Sequence, residues 1–267
     1  GYGLRTAALE GLRNKGVSLV ITVDCGITAN TEIAWAGRHG LDVIITDHHS
    51  VPAELPPAVA CVNPKRPDSC YPFRELSGAG ISLKLLQALL QTLGHANTLD
   101  RYGDLVALGT VADIVPLLGE NRFLVKRGLE LLNSTQRPGL QELVRVSGLT
   151  PGAINTESIS WALGPRLNAA GRLAHALLSY SLLLASSHEE GYRLARELEQ
   201  HNAERQRLTS RVWTRSREQA LEQGDARLLL VSGEDVPPGI VGIVAGKLTE
   251  EFYRPRLVVE RGKKTSQ

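Results

Sequence analysis

Apolar positions fall into two rhythms along this chain. Residues 17–23, VSLVITV, form a short continuous run rich in β-branched side chains and bounded by Gly16 and Gly26, and residues 41–46 form a second. Runs of this kind predict strands buried on both faces. Between them, Thr28 and Asn30 offer caps for a helix over 30–38, which Gly40 closes. Strand, helix, strand predicts a right-handed crossover between parallel strands, so both strands end on one edge of the sheet.

The rhythm then changes. Pro52, Pro56, Pro57, Pro64, Pro67 and Pro72 predict a long ordered loop over 52–73. Leu83, Leu86, Leu90 and Leu93 recur at helical spacing behind Ser77-Gly78-Ala79-Gly80. Those glycines could bare amides to a phosphate, but a tight turn explains them as well. Residues 102–118 predict a buried helix with one carboxylate, Asp113, in apolar surroundings. Residues 189–222 predict one long helix, with Leu194, Leu198, Leu208, Val212 and Trp213 on a broken stripe and charges of both signs elsewhere. That mixture describes a solvated connector. Strands at 226–231 and 256–260 then flank a helix over 240–252. The predicted fold class is α/β: a parallel-sheet domain over 1–187, a connecting helix over 188–224, and the start of a second, smaller α/β domain over 225–267.

Composition narrows the class without naming it. The 267 residues are 42% hydrophobic and 22% charged, enough for one large core or two smaller ones. No apolar stretch reaches the ~20 residues needed to span a bilayer and no export signal opens the chain, which predicts a cytoplasmic protein away from membranes. Cys25, Cys61 and Cys70 lack C-x-x-C spacing and read as reduced thiols. With a net charge of only +2, a nucleic-acid partner has to be met by a local basic patch.

The strand ends carry the candidate chemistry. Asp24 closes the first run and Asp47-His48-His49 closes the second. Alone, an aspartate followed by two histidines fits a surface turn. At a shared sheet edge, where open α/β sheets bind ligands, the four side chains become one acidic and imidazole-rich cluster. An ionised Asp113 in apolar surroundings needs a partner, and both an arginine such as Arg122 or Arg127 and a metal ion satisfy that need. Residues 158–188 contain no acid at all, yet include GPRLNAAGRLAH with Arg166, Asn168, Arg172 and His175. Arginine forks in a Gly/Pro-marked loop suit phosphate, and a solvated basic turn is the alternative.

VDCGIT, TDHH, GTVADIVPL and GPRLNAAGRL, in this order, resemble the DHH phosphoesterase family, and within it the single-strand-specific 5′-to-3′ DNA exonucleases. Gly1-Tyr2-Gly3-Leu4 and GIVGIVAGKL, Gly239 to Leu248, match the same branch, so the resemblance covers essentially the whole chain. It implies that Asp24 bridges two divalent ions, that His48 and Asp113 ligate one of them, that Asp47 orients from behind, and that His49 faces the scissile phosphate. The ions implied are Mn²⁺ or Mg²⁺, since mixed imidazole and carboxylate ligation suits Mn²⁺ better than Ca²⁺. Arg166, Asn168 and Arg172 become contacts to the DNA backbone. Single-stranded DNA is the implied substrate, DNA repair and recombination the setting, and a single-strand-binding protein or a helicase the protein partner.

The family's Asp-x-Asp-Gly motif is expected before residue 1, and its Gly-Gly-His and Ser-Gly-Arg-Ser segments after residue 267. The chain therefore reads as a piece of a longer protein, inactive by itself, which its lack of methionine also suggests. Pro237 stands where the family commonly has a histidine before Pro-Gly. Two alternatives carry the same motifs: a phosphoesterase of short oligonucleotides or cyclic dinucleotides, and a catalytically inactive replication scaffold. Retention of Asp24, Asp47, His48, His49 and Asp113 together speaks against the scaffold.

Overall fold

The structure, a computed structural model, describes residues 3–94, 98–173, 176–234 and 236–262. By packing, the chain divides into two compact units: Gly1–Thr135 with Gly152–Ser160, and Gln136–Pro151 with Trp161–Gln267.

The first unit runs through helix α1 (Thr6–Asn14), strand β1 (Leu19–Val23), helix α2 (Asn30–Arg38) and strands β2 (Asp42–Thr46) and β3 (Ala60–Val62). The strands pair in parallel in the order β1-β2-β3, with Ile21 opposite Ile44 and Ile45 opposite Cys61. Val20, Val43 and Ile45 pack in one apolar cluster with Leu9 of α1 and Ile33 and Ala36 of α2. Each large aliphatic side chain buried there contributes roughly 1.5–3 kcal/mol relative to exposure. β1 is not buried on both faces, as its composition predicts: Leu19, Ile21 and Val23 are 47%, 47% and 55% exposed. A continuous apolar run does not say which of its faces stays uncovered. β3 lies inside the segment read as a loop, where three residues among prolines leave too short a pattern to recognise. The predicted cap is also corrected, because α2 is entered from Ala29 with no side-chain cap and the Asn30 amide donates to the Glu54 carbonyl at 3.2 Å instead.

Helices α3 (Gly78–Thr92), α4 (Thr98–Ala112) and α5 (Gly119–Asn133) follow, and Leu76, Ile81, Leu83, Val106 and Leu124 form their shared core. α4 stops at Ala112, so Asp113 follows a helix end rather than sitting inside a buried helix as predicted. Pro116 disfavours helical backbone just before it, and Ile114, at φ 59°, turns the chain outward with its side chain 89% exposed. Helix α6 (Pro138–Val146) belongs to the second unit, and α7 (Thr156–Ser158), a single turn capped by Asn155, to the first.

The second unit contains helices α8 (Gly164–Leu173), α9 (Leu177–Leu183) and α10 (His188–Glu222), strand β4 (Leu229–Gly233), helix α11 (Pro238–Phe252) and strand β5 (Arg256–Glu260). β4 and β5 pair in parallel around α11, the predicted second strand–helix–strand unit, with Val231 opposite Val258. The acid-free segment is helical, not a loop: a π-helical turn over Ile159–Leu163 leads directly into α8, and Pro165, which has no N–H to give, lies just after that turn, where the hydrogen-bond ladder is already irregular. Ser187 caps α10, accepting from the Glu190 amide at 3.2 Å. α10 is no solvated connector, since it buries Leu194, Leu198, Val212 and Ala220 and packs on α6, α8, α9 and α11. Asn202, Thr209 and Ser216 continue its buried stripe, and their polarity disguised it in the sequence. Among the described residues no helix is long and apolar enough to cross a membrane.

Candidate metal centre

The two predicted strand ends do meet. Asp24 follows β1 with its amide on the Thr46 carbonyl at 3.0 Å, and Asp47-His48-His49 follows β2 directly. Asp24 adopts φ 62°, a left-handed conformation uncommon outside glycine. Such strain persists where the surroundings over-determine it, most often at functional sites.

Asp47 is the strut of this edge. It is 1% exposed, and its carboxylate accepts from the amides of Ile27 (3.0 Å), His48 (2.8 Å) and His49 (3.2 Å) and from His49 Nδ1 (2.6 Å). Burial pushes this carboxyl up, but the Ile27 amide and the bonds from His49 and His48 outweigh it and hold Asp47 below the usual carboxylate range. An ionised Asp47 can only accept, so His49 Nδ1 carries the hydrogen of their bond.

His48 is the least satisfied group. Its ring is buried, with Nε2 2.9 Å from Asp24 Oδ1 and 3.3 Å from Asp113 Oδ2, yet neither ring nitrogen has a hydrogen-bond partner of proper geometry among the described residues. Asp24, His48 and His49 offer ligand atoms that all lie within 4.8 Å of one another. Asp113 adds a second carboxylate facing His48. Its arginine alternative is not realised in the case of Arg127, which pairs with Asp100 and Glu130. Two carboxylates converging on a buried imidazole without bonding it lack one positive charge, which a proton or a metal ion provides. The donor set therefore fits a divalent cation.

The electrostatics describe the competition between those two occupants. Asp24 against the ring holds His48 above the ordinary imidazole value, burial opposes this, and Asp113 adds to the rise. Burial likewise raises the Asp113 carboxyl, with His48 opposing. Because the folded chain binds the His48 proton more tightly than the unfolded chain, this contribution to stability is complete below about pH 6.5 and is lost as pH rises through the raised folded value. A cation at the same nitrogen must displace that proton. In EDTA the melting temperature is therefore expected to fall as pH rises above about 6.5, the unfolded imidazole value, while Mn²⁺ affinity measured by calorimetry rises over the same interval. A Mn²⁺ affinity that ignores pH across this window would remove His48 from the ligand set. Burial, with Asp47 and Asp24, pushes the nearby Cys25 thiol up, which keeps it protonated and argues against thiolate chemistry at this edge.

Asp24, Asp47, His48, His49 and Asp113 thus come together in the first unit. Arg166, Asn168 and Arg172 lie on α8 in the second. Arg166 is not the free phosphate fork predicted, because its Nε pairs with Glu199 and its guanidinium also donates to the Ala162 carbonyl at 2.9 Å. Arg166→Ala is accordingly expected to reduce stability by about 1–3 kcal/mol, the range for a charged hydrogen bond, because it leaves Glu199 unpaired. Urea unfolding checks this, and unchanged stability with weakened DNA binding would reverse the assignment. Asn168 is exposed, while the Arg172 side chain and His175 lie outside the described residues. One contributor escaped the sequence reading. Asn63, buried after β3, donates to the His49 carbonyl at 3.0 Å and accepts from the Lys65 amide at 2.8 Å, bracing the histidine turn. An Asn-Pro pair signals only a turn, and its partner lies 14 residues away.

A parallel sheet with Asp24 and Asp47-His48-His49 at its C-terminal edge defines an α/β core of the DHH type. The profile described as DHH family, N-terminal domain, matches residues 5–110, and that segment belongs to the DHH family. Within it, the chain is similar to RecJ over nearly its whole length. It is 45% identical over 260 residues to the single-stranded-DNA-specific exonuclease RecJ of Bacillus subtilis (strain 168), covering 97% of this chain and 32% of that protein. A crystal structure of exonuclease RecJ bound to manganese superposes with a TM-score of 0.85 at 35% identity, covering 98% of this chain and 66% of that one. RecJ from Thermus thermophilus in complex with Mg²⁺ gives a TM-score of 0.73 at 32% identity, covering 96% of this chain and 38% of that one. The chain spans about a third of the length of the Bacillus subtilis relative.

Proposed function

We propose that this chain carries the metal-binding core of an exonuclease that hydrolyses single-stranded DNA from 5′ to 3′ with Mn²⁺ or Mg²⁺. The observation that carries the reading is His48, a buried imidazole with both nitrogens unpartnered, set against Asp24 and Asp113 at the sheet edge. The likeness to proteins named for single-strand-specific exonuclease activity supplies the substrate class, and their structures with manganese and magnesium support the cation. Asp24, His48 and Asp113 would hold the metal. A divalent cation held there would supply Lewis-acid activation of water and charge neutralisation at the phosphodiester.

The chain's own groups prepare for that chemistry. Asp47 pins the histidine turn through four hydrogen bonds, so His48 reaches the edge in one orientation. With Nδ1 committed to Asp47, the 59% exposed His49 side chain keeps Nε2 for the scissile phosphate. We assign catalysis to the first unit, which carries β1-β2-β3, and contacts to the DNA backbone to Asn168 and Arg172 of α8. We extend the reading to a cytoplasmic role in DNA repair and recombination, with a single-strand-binding protein or a helicase as partner.

The test uses the full-length protein that carries this chain and 5′-labelled DNA. With Mn²⁺ the label should leave a single strand first, as a mononucleotide, and EDTA should stop its release. Equal cleavage of a blunt duplex, or preference for a dinucleotide over a long strand, would overturn the proposal.

A further inference from the structure

Ser77-Gly78-Ala79-Gly80 enters no step above, yet its packing is unusually close. Ser77 caps α3, accepting from the Gly80 amide at 3.1 Å, and its hydroxyl also meets Thr110 Oγ1 of α4 at 2.9 Å, with both side chains fully buried. A Cβ on Gly109 would lie 2.6 Å from that of Ala79, so the first turn of α3 and the last turn of α4 touch through small residues. The Gly109 carbonyl accepts from the Asp113 amide at 3.0 Å. A Cβ on Gly78 would lie 2.6 Å from Asp24 Cβ and 2.7 Å from both its Cγ and Oδ1. The place where a side chain at 78 belongs is filled by the Asp24 carboxylate.

We propose that Gly78 is a positioning residue for the metal centre: its missing side chain is the space that keeps the Asp24 carboxylate 2.9 Å from His48. The inference rests on the metal-site reading given above. The contact cannot be relieved by turning the Asp24 side chain alone, because Asp24 Cβ is itself too close and rotation about χ1 does not move it. Either the backbone of Asp24 must shift from its φ of 62° or the start of α3 must lift. The buried Ser77–Thr110 bond and the Ala79–Gly109 contact resist the lift, so the displacement falls on Asp24. The same seam ties Asp24 to the helix end that carries Asp113. It explains the glycine by close approach to a carboxylate rather than by phosphate binding.

A cycle of variants in the full-length protein tests this, with Mn²⁺ alone as the probe, calorimetry for affinity and melting in EDTA for the fold. Gly78→Ala is expected to weaken Mn²⁺ binding about 10- to 100-fold, the range for a lost supporting contact. Asp24→Gly removes the ligand and the obstructing Cβ together, and glycine tolerates the left-handed backbone. Adding Gly78→Ala to Asp24→Gly should therefore change neither affinity nor melting temperature further. If Gly78→Ala alone does not fold, recovery of folding in the double variant supports the inference, and no recovery overturns it. Wild-type affinity in Gly78→Ala overturns it while leaving the metal site intact. Undiminished Mn²⁺ binding by Asp24→Gly instead overturns the metal-site reading itself.

Discussion

His48→Ala in the full-length protein is expected to lower Mn²⁺-dependent degradation of single-stranded DNA by ~10³-fold or more, about 4 kcal/mol of barrier, with melting in EDTA little changed at a pH above the raised His48 value, where the ring is neutral and its proton no longer stabilises the fold. The asymmetry follows from the geometry. The neutral His48 ring makes no hydrogen bond of proper geometry and its backbone amide stays on Asp47, so the substitution orphans no donor or acceptor in the metal-free fold. With metal present the same change deletes the one buried imidazole of the site and leaves Asp24 and Asp113 to hold the cation between them. Asp113→Ala should behave alike, because burial already raises that carboxyl and its ionised form contributes little to the metal-free fold. Rates within tenfold of wild type at saturating Mn²⁺, in either variant, would show that the ligands lie elsewhere.

Asp47→Asn should separate the strut from the ligands. Its carboxylate receives four hydrogen bonds on two oxygens, and an amide keeps one oxygen while turning the other into a donor. Whichever way the amide sits, a donor faces either the Ile27 amide or the amides of the histidine turn. The expected loss is about 1–3 kcal/mol of stability, the penalty for a buried unsatisfied group. Activity should fall about 10- to 100-fold, the range for a residue that orients a ligand. Mn²⁺ stoichiometry should stay the same while affinity drops, because the Asp47 carboxylate is buried and both its oxygens are already engaged by protein donors. Wild-type melting of the Asp47→Asn protein together with a changed number of bound ions would make Asp47 a ligand rather than a strut.

The chain's own order was enough to place this cluster on a shared edge. Two β-branched runs separated by one helix determine a parallel crossover, and that crossover determines that Asp24 and Asp47-His48-His49 end side by side. The handedness of such units is a property of L-residues, so no distant contact is needed to know it. The second strand–helix–strand unit was legible for the same reason. What depends on distant contacts was not. The uncovered face of β1, the short β3, and the burial of α10 along Asn202, Thr209 and Ser216 depend on what packs against them. Arg166 looked like a phosphate ligand until Glu199, 33 residues on, turned out to hold it. Asn63 and Gly78 carry no chemical signature of a site, because one works through a carbonyl 14 residues away and the other through space that a carboxylate occupies. Spacing within a strand–helix–strand unit encodes the direction of its ends, so the sequence by itself determined which residue types converge. The distances, the unpartnered His48 ring and the packing that holds Asp24 against it come from contacts between remote segments, and only the tertiary structure decided them.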